Sequence, residues 1–163
     1  MRRNLALGAL AAAAALAFTA CGSDDDGGAD PADEISEATQ DLADAQHDSG
    51  VPEECGAAFP MAWGEPDLAE AQLPAGWPEP PPGAVLCAVS GGDGVQTVDY
   101  ATDLDAAALL DHYEDALSGA EGYDVTREEP AGLGHEVISG LAGEAGFQVD
   151  PREGGFRLAF DPA

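Results

Sequence analysis

The 163-residue chain carries 32 acidic and five basic residues, a formal charge of −27, and no lysine. Such a surface repels phosphate backbones and anionic lipid headgroups, which argues against a nucleic-acid partner. The imbalance reads as compositional as readily as functional, and no ligand is inferred from it.

The chain opens with Arg2 and Arg3, followed by an uncharged run from Leu5 to Ala20. That run is shorter than the ~20 apolar residues a membrane span needs. A charged start, a brief apolar core and small residues before a cut describe a secretory signal. The segment Leu16-Ala17-Phe18-Thr19-Ala20-Cys21 resembles the lipobox of bacterial lipoproteins, departing from it at Phe18, where that family usually carries Leu. The resemblance implies cleavage before Cys21 and a diacylglyceryl group on its sulfur. It also implies anchoring to the extracytoplasmic face of the cell membrane, so the first expected partner is membrane lipid through Cys21. Two acyl chains hold a protein at a bilayer without an inserted segment. The residues flanking Arg2-Arg3 fit a twin-arginine signal poorly, which favours the general secretory route.

Residues 1–20 therefore read as signal peptide and 21–33 as an acidic, glycine-containing, lipid-anchored tether. Ser23, Asp25, Gly28 and Glu34 fall at calcium-loop spacing, but Ser23 replaces the leading Asp and Gly27 occupies a ligand position. Tether is the better reading. Residues 34–50 read as a short helix and linker: Ile35, Ala38, Thr39, Leu42 and Ala45 recur at helical spacing, with Pro31 suited to the first turn. The apolar face is thin, so packing is expected to support it.

Residues 51–83 hold eight prolines and the large apolar residues Phe59, Met61, Trp63, Leu68, Leu73 and Trp77. That proline density predicts extended structure, with a turn of helix near Asp67–Gln72. With Cys21 assigned to lipid, Cys55 and Cys87 remain as an even pair in an oxidising compartment. A disulfide is expected between them. Closing a loop of roughly 30 residues is worth about 3–4 kcal/mol in the chain-entropy model. Their spacing is neither C-x-x-C nor a zinc pattern.

Residues 84–163 read as an α+β domain. Val85–Val89 and Val95–Tyr100 flank a glycine turn at Ser90–Gly94 and form a hairpin. Thr102 and Asp105 have capping-box spacing before a helix over Asp103–Ser118. Its apolar face is Leu109, Leu110, Tyr113, Ala116 and Leu117, and Gly119 ends it. Strand-like runs follow at Tyr123–Arg127, His135–Leu141, Phe147–Asp150 and Phe156–Phe160. The turns between them fall at Pro130–Gly134, Ala142–Glu144 and Pro151–Gly155. The order β-β-α-β-β-β-β predicts a two-layer fold, an antiparallel sheet covered by one main helix, with the proline-rich segment stapled on by the disulfide. Leu110, Tyr113 and Leu117 should meet Val98, Val125, Val149 and Leu158. The phrase Leu73-Pro74-Ala75-Gly76-Trp77-Pro78, then Pro82-Gly83-Ala84, the Tyr113 helix and Gly122-Tyr123-Asp124-Val125 resemble a small α/β domain of uncharacterised lipoproteins from high-GC Gram-positive bacteria. That family implies no activity.

No nucleophile elbow, zinc-protease, P-loop or dinucleotide fingerprint occurs. His47, His112 and His135 are isolated, and Glu128-Glu129 precede Pro130 at a solvated corner rather than forming an acid pair. No catalytic residue, metal site or cofactor is expected. Trp63 and Trp77 are expected to pack on the domain under the disulfide, the sharper alternative being an aromatic lip for a sugar or peptide ligand; Arg127 and Arg157 are expected to pair with nearby acids, the alternative being a shared anion-binding face. The expected function is a non-enzymatic binding or interaction module whose partner is a cell-envelope protein or a small ligand. A structural accessory lipoprotein is the alternative, and a hydrolase of envelope polymers ranks last.

Overall fold

A computed structural model describes residues 31–91 and 94–161, without the side chains of residues 31–34 and 37. The signal peptide, Cys21 and most of the tether lie outside the described residues. Six strands form one antiparallel sheet: β1 (Val85–Ser90), β2 (Gln96–Ala101), β3 (Tyr123–Glu128), β4 (Val137–Ala142), β5 (Ala145–Arg152) and β6 (Gly155–Asp161), in the spatial order β1-β2-β6-β5-β4-β3. Three helices accompany it: α1 (Pro31–Asp48), α2 (Cys55–Ala58) and α3 (Ala106–Ser118), with a 3-10 turn at Leu68–Glu70. Among the described residues no helix is long and apolar enough to cross a membrane.

Alternation sets the two faces of the sheet. Val98, Tyr100, Phe147, Val149, Phe156, Leu158 and Phe160 point to one face. There α3 supplies Leu109, Leu110, Tyr113 and Leu117, all essentially buried. Each large apolar side chain so buried is worth about 1.5–3 kcal/mol. Ala116, expected on the same stripe, is exposed, because it lies at the edge of the apolar arc. The helix also starts later than its sequence suggests. Asp105, not Thr102, is the N-cap, accepting from the Ala108 N–H at 2.8 Å. Thr102 instead accepts from the Leu104 N–H at 3.3 Å and shapes the approach.

The helix packs on β3, β4 and β5, so the rest of its face needs another cover. The proline-rich segment provides it: Leu68, Ala71, Leu73 and Trp77 pack against the same core. Earlier in the chain, Val51, Cys55, Phe59 and Ala62 pack with Cys87 and Ala101 in a second cluster. Alternation puts Ala101 on the opposite face from Tyr100, so this cluster belongs to the other side of the sheet. The simple picture of one helix on one sheet is thus incomplete, because a single irregular segment contributes core to both faces. Cys55 and Cys87 form a disulfide with Cα atoms 5.4 Å apart, and both are fully buried. Cys87 is the extra residue of a β-bulge, since Leu86 pairs with Tyr100 and Ala88 with the adjacent Asp99.

α1 departs from expectation in a different way. Ile35 and Leu42 remain exposed, and among its described side chains the helix buries only Gln46, in its last turns. The final hairpin is tighter than predicted: Pro151 and Gly155 belong to β5 and β6, leaving Glu153-Gly154 as the turn, with Gly154 at φ 73°. Gly140, mid-strand in β4, leaves space that the Phe147 ring fills. A Cβ there would lie 2.9 Å from the ring and collide with the Asp124 carbonyl.

Gly140→Ala should therefore destabilise the fold by about 1–3 kcal/mol through overpacking. Chemical denaturation reads this, and an unchanged midpoint would show that β3 yields freely. The three tyrosines, Tyr100, Tyr113 and Tyr123, are held above the ordinary value of 10.0 by burial, Tyr113 most strongly. The fold favours the neutral phenol, so this stabilisation is complete below pH ~10 and is lost as pH rises toward the folded-state values. Tyr113→Phe should keep the protein folded to higher pH. Denaturation midpoints measured across the alkaline limb test this, and an unshifted limb would refute it.

Candidate functional site

The face of the sheet opposite α3 is polar where the face beneath α3 is apolar. Register brings Asp99 of β2, Arg157 of β6 and Asp150 of β5 side by side. Arg157 grips Asp99 with two bonds, Nε to Oδ1 at 2.7 Å and Nη2 to Oδ2 at 2.8 Å. The hydrogen bonds to Asp99 raise the Arg157 pKa, against an opposing effect of burial, so the guanidinium is permanently charged. Bidentate pairs of this kind are strong and orientationally fixed. Asp99 is buried, and breaking the pair would leave its charge uncompensated.

Asp150, also buried, takes two partners. Arg152 Nη2 donates to Oδ2 at 2.8 Å, and His135 Nε2 lies 2.7 Å from Oδ1. The other ring nitrogen of His135 lies 3.2 Å from the Leu133 carbonyl. Both ring nitrogens thus face acceptors within the protein.

Above this row runs the loop that follows α2. The sequence gives it no ladder hydrogen bonds, so side chains must fix it. The Gln46 amide does so, with Nε2 donating to the carbonyls of Pro60 at 2.8 Å, Ala62 at 3.1 Å and Phe59 at 3.4 Å. Ser49 extends the clamp: its hydroxyl donates to the Gln46 carbonyl and accepts from the Gly64 N–H at 3.1 Å. Phe59 then packs over Gly155, where a Cβ would meet the ring. Met61 and Trp63 are left at the rim, 90% and 69% exposed.

Two clefts open on this face of the sheet. One, of about 430 Å³, lies under the loop and has Trp63, Met61, Asp99 and Arg157 among its walls. The other, of about 790 Å³, lies beside α2 and is lined by Leu133, His135, Asp150 and Glu153. Both have Ala58 and Arg152 in their walls and so adjoin there; the smaller forms a trough between loop and sheet. Such volumes are typical of small-molecule sites.

Of the four residues singled out from sequence for ligand binding, the structure brings Trp63 and Arg157 into one cleft. Trp77 is elsewhere, packed in the core beneath α3 with ring centroids 4.8 Å from Phe160, 5.3 Å from Phe147 and 5.9 Å from Tyr113. It forms no lip with Trp63. Arg127 does not share a face with Arg157. It pairs across to Ile138 and points to the helix side, where it meets Asp111 at 2.7 Å, Glu114 at 3.2 Å and Glu136 at 3.1 Å. These bonds raise its pKa and fasten α3 to β3. Among the described residues, Arg127, Arg152 and Arg157 are each paired with acids. No cluster suited to a metal ion occurs among the described residues.

Sequence reasoning passed over Gln46, Arg152 and the His135–Asp150 contact. Only one signal was available. Val98 and Tyr100 flank Asp99, and Phe156 and Leu158 flank Arg157, so both charges fall on the face opposite the core.

Gln46→Ala strands the Pro60 and Ala62 carbonyls, while that of Phe59 still accepts from the Ala62 N–H, and should cost about 1–3 kcal/mol. It should also raise amide exchange in residues 59–64 beyond the rest of the domain, as measured by hydrogen–deuterium exchange; uniform exchange would show that the clamp is dispensable. Comparison with protein-family models, curated proteins and solved structures finds no match for this chain.

Proposed function

We propose that the chain is a lipoprotein held at the extracytoplasmic face of the cell membrane through Cys21, and that its domain is a non-enzymatic binding module of the envelope. The observation that carries the binding reading is the trough. A loop without regular structure is fixed by Gln46 so that Trp63 and Met61 stand exposed beside buried, paired charges. Holding large apolar side chains in water has a cost, and a ligand that covers them recovers it. The anchor rests on the lipobox-like segment ending at Cys21. The Cys55–Cys87 disulfide agrees with an oxidising compartment. An accessory structural role is the second reading, favoured by exposed Ile35 and Leu42 on α1.

Cys21→Ala should move the protein from the membrane to the soluble extracytoplasmic fraction. Retention in washed membranes would rule out anchoring by this residue. A photo-reactive residue in place of Met61, in intact envelopes, should trap a discrete adduct. Absence of any adduct would count against a binding module and favour the accessory role.

A further inference from the structure

We infer that the trough between the 59–63 loop and the polar sheet face binds a neutral oligosaccharide. This rests on the binding-module reading above and names its ligand class.

Charge narrows the choice first. The floor holds Arg157 bonded to Asp99, and Asp150 bonded to Arg152 and His135. No guanidinium is left without a carboxylate, so an anionic ligand finds no uncompensated cation. The acidic excess of the whole chain adds long-range repulsion. Asp99 and Asp150 are likewise matched, which leaves Glu153, in the wall of the larger cleft, as the one lining carboxylate without an ion pair among the described residues.

Backbone pairing narrows it again. The floor strands β2, β6 and β5 are interior to the sheet, each paired on both sides. Their N–H and C=O groups are already spent, so an extended peptide cannot pair with these three strands; β1, whose Ala88, Val89 and Ser90 also wall the smaller cleft, is an edge strand. Over the floor itself, recognition must come from side chains.

The side chains that remain suit a sugar. Trp63 and Met61 offer exposed apolar surface at the rim. The C–H face of a pyranose stacks on an indole in this way. The paired planar groups retain spare donors and acceptors held in fixed directions. Arg157 uses Nε and Nη2 on Asp99 and keeps Nη1; Arg152 uses Nη2 on Asp150, and its side chain is 43% exposed. Adjacent hydroxyls of a sugar match such pre-oriented, net-neutral groups. The trough's volume of about 430 Å³, with the second cleft adjoining it, gives room for more than one sugar unit.

Full-length protein in neutral detergent, titrated with chitotetraose, cellotetraose and maltotetraose, tests the assignment. At least one of these should change tryptophan emission saturably. Affinity should fall about tenfold or more in Trp63→Ala and stay nearly constant with salt. Circular dichroism verifies that the variant is folded, and Leu141→Ala, remote from the trough, should bind as the parent does. No saturable binding by any probe overturns the glycan assignment, as does equal affinity in Trp63→Ala or steep salt dependence. The adduct trapped from position 61 separates the two levels. A peptide adduct overturns the sugar and keeps the binding module, whereas no adduct and no titration overturn both.

Discussion

Joining Cys55 to the bulge residue Cys87 lets a proline-rich segment serve as core for both faces of the sheet. Between Val51 and Gly83 the chain has little regular structure, so few ladder hydrogen bonds hold it. Phe59 nevertheless packs on one side and Trp77 on the other, and Leu68–Glu70 touches β1 between them. Fixing one end covalently limits the conformations from which the segment must choose. The gain in the chain-entropy model, about 3–4 kcal/mol for a separation of this size, is large beside the net stability of a small domain. With that end fixed, the Gln46 amide has only a short stretch to organise, and the trough takes its shape from the result.

The arginines show how a chain of charge −27 remains folded. Arg127 joins α3 to β3, while Arg157 and Arg152 neutralise two carboxylates that the fold buries. Each cation sits where acids would otherwise repel one another at close range. The solvated carboxylates are left to water and keep copies of the protein apart. The charge is therefore managed locally, at three points, rather than balanced over the surface.

The regular half of the fold was legible because its code is local. Period-two runs gave the strands, and Leu109, Leu110, Tyr113 and Leu117 gave the buried stripe of α3. The irregular half was not, because its order comes from contacts between distant residues. A tryptophan in a proline-rich stretch looks alike in sequence whether it ends at the rim, as Trp63 does, or in the core, as Trp77 does. That nearby acids pair Arg127 and Arg157 is legible from the acidic composition, whereas whether the two share a face depends on register across the whole sheet. Gln46 looked like one more polar residue on a thinly apolar helix. Its role appears only when the 59–62 carbonyls converge on it.

The position of the disulfide also decides how the molecule bears tension. α1 is docked only at its C-terminal end, and the chain then runs through Val51 directly to Cys55. A pull on the N-terminal side of α1 reaches Cys55 and crosses to Cys87 in the middle of β1 through the sulfur–sulfur bond. Residues 56–86 lie in parallel with that bond. Gln46 and Ser49 tie the end of α1 to residues 60–64 ahead of it, so the same pull is shared between the covalent bridge and the hydrogen bonds that hold the loop carrying Trp63.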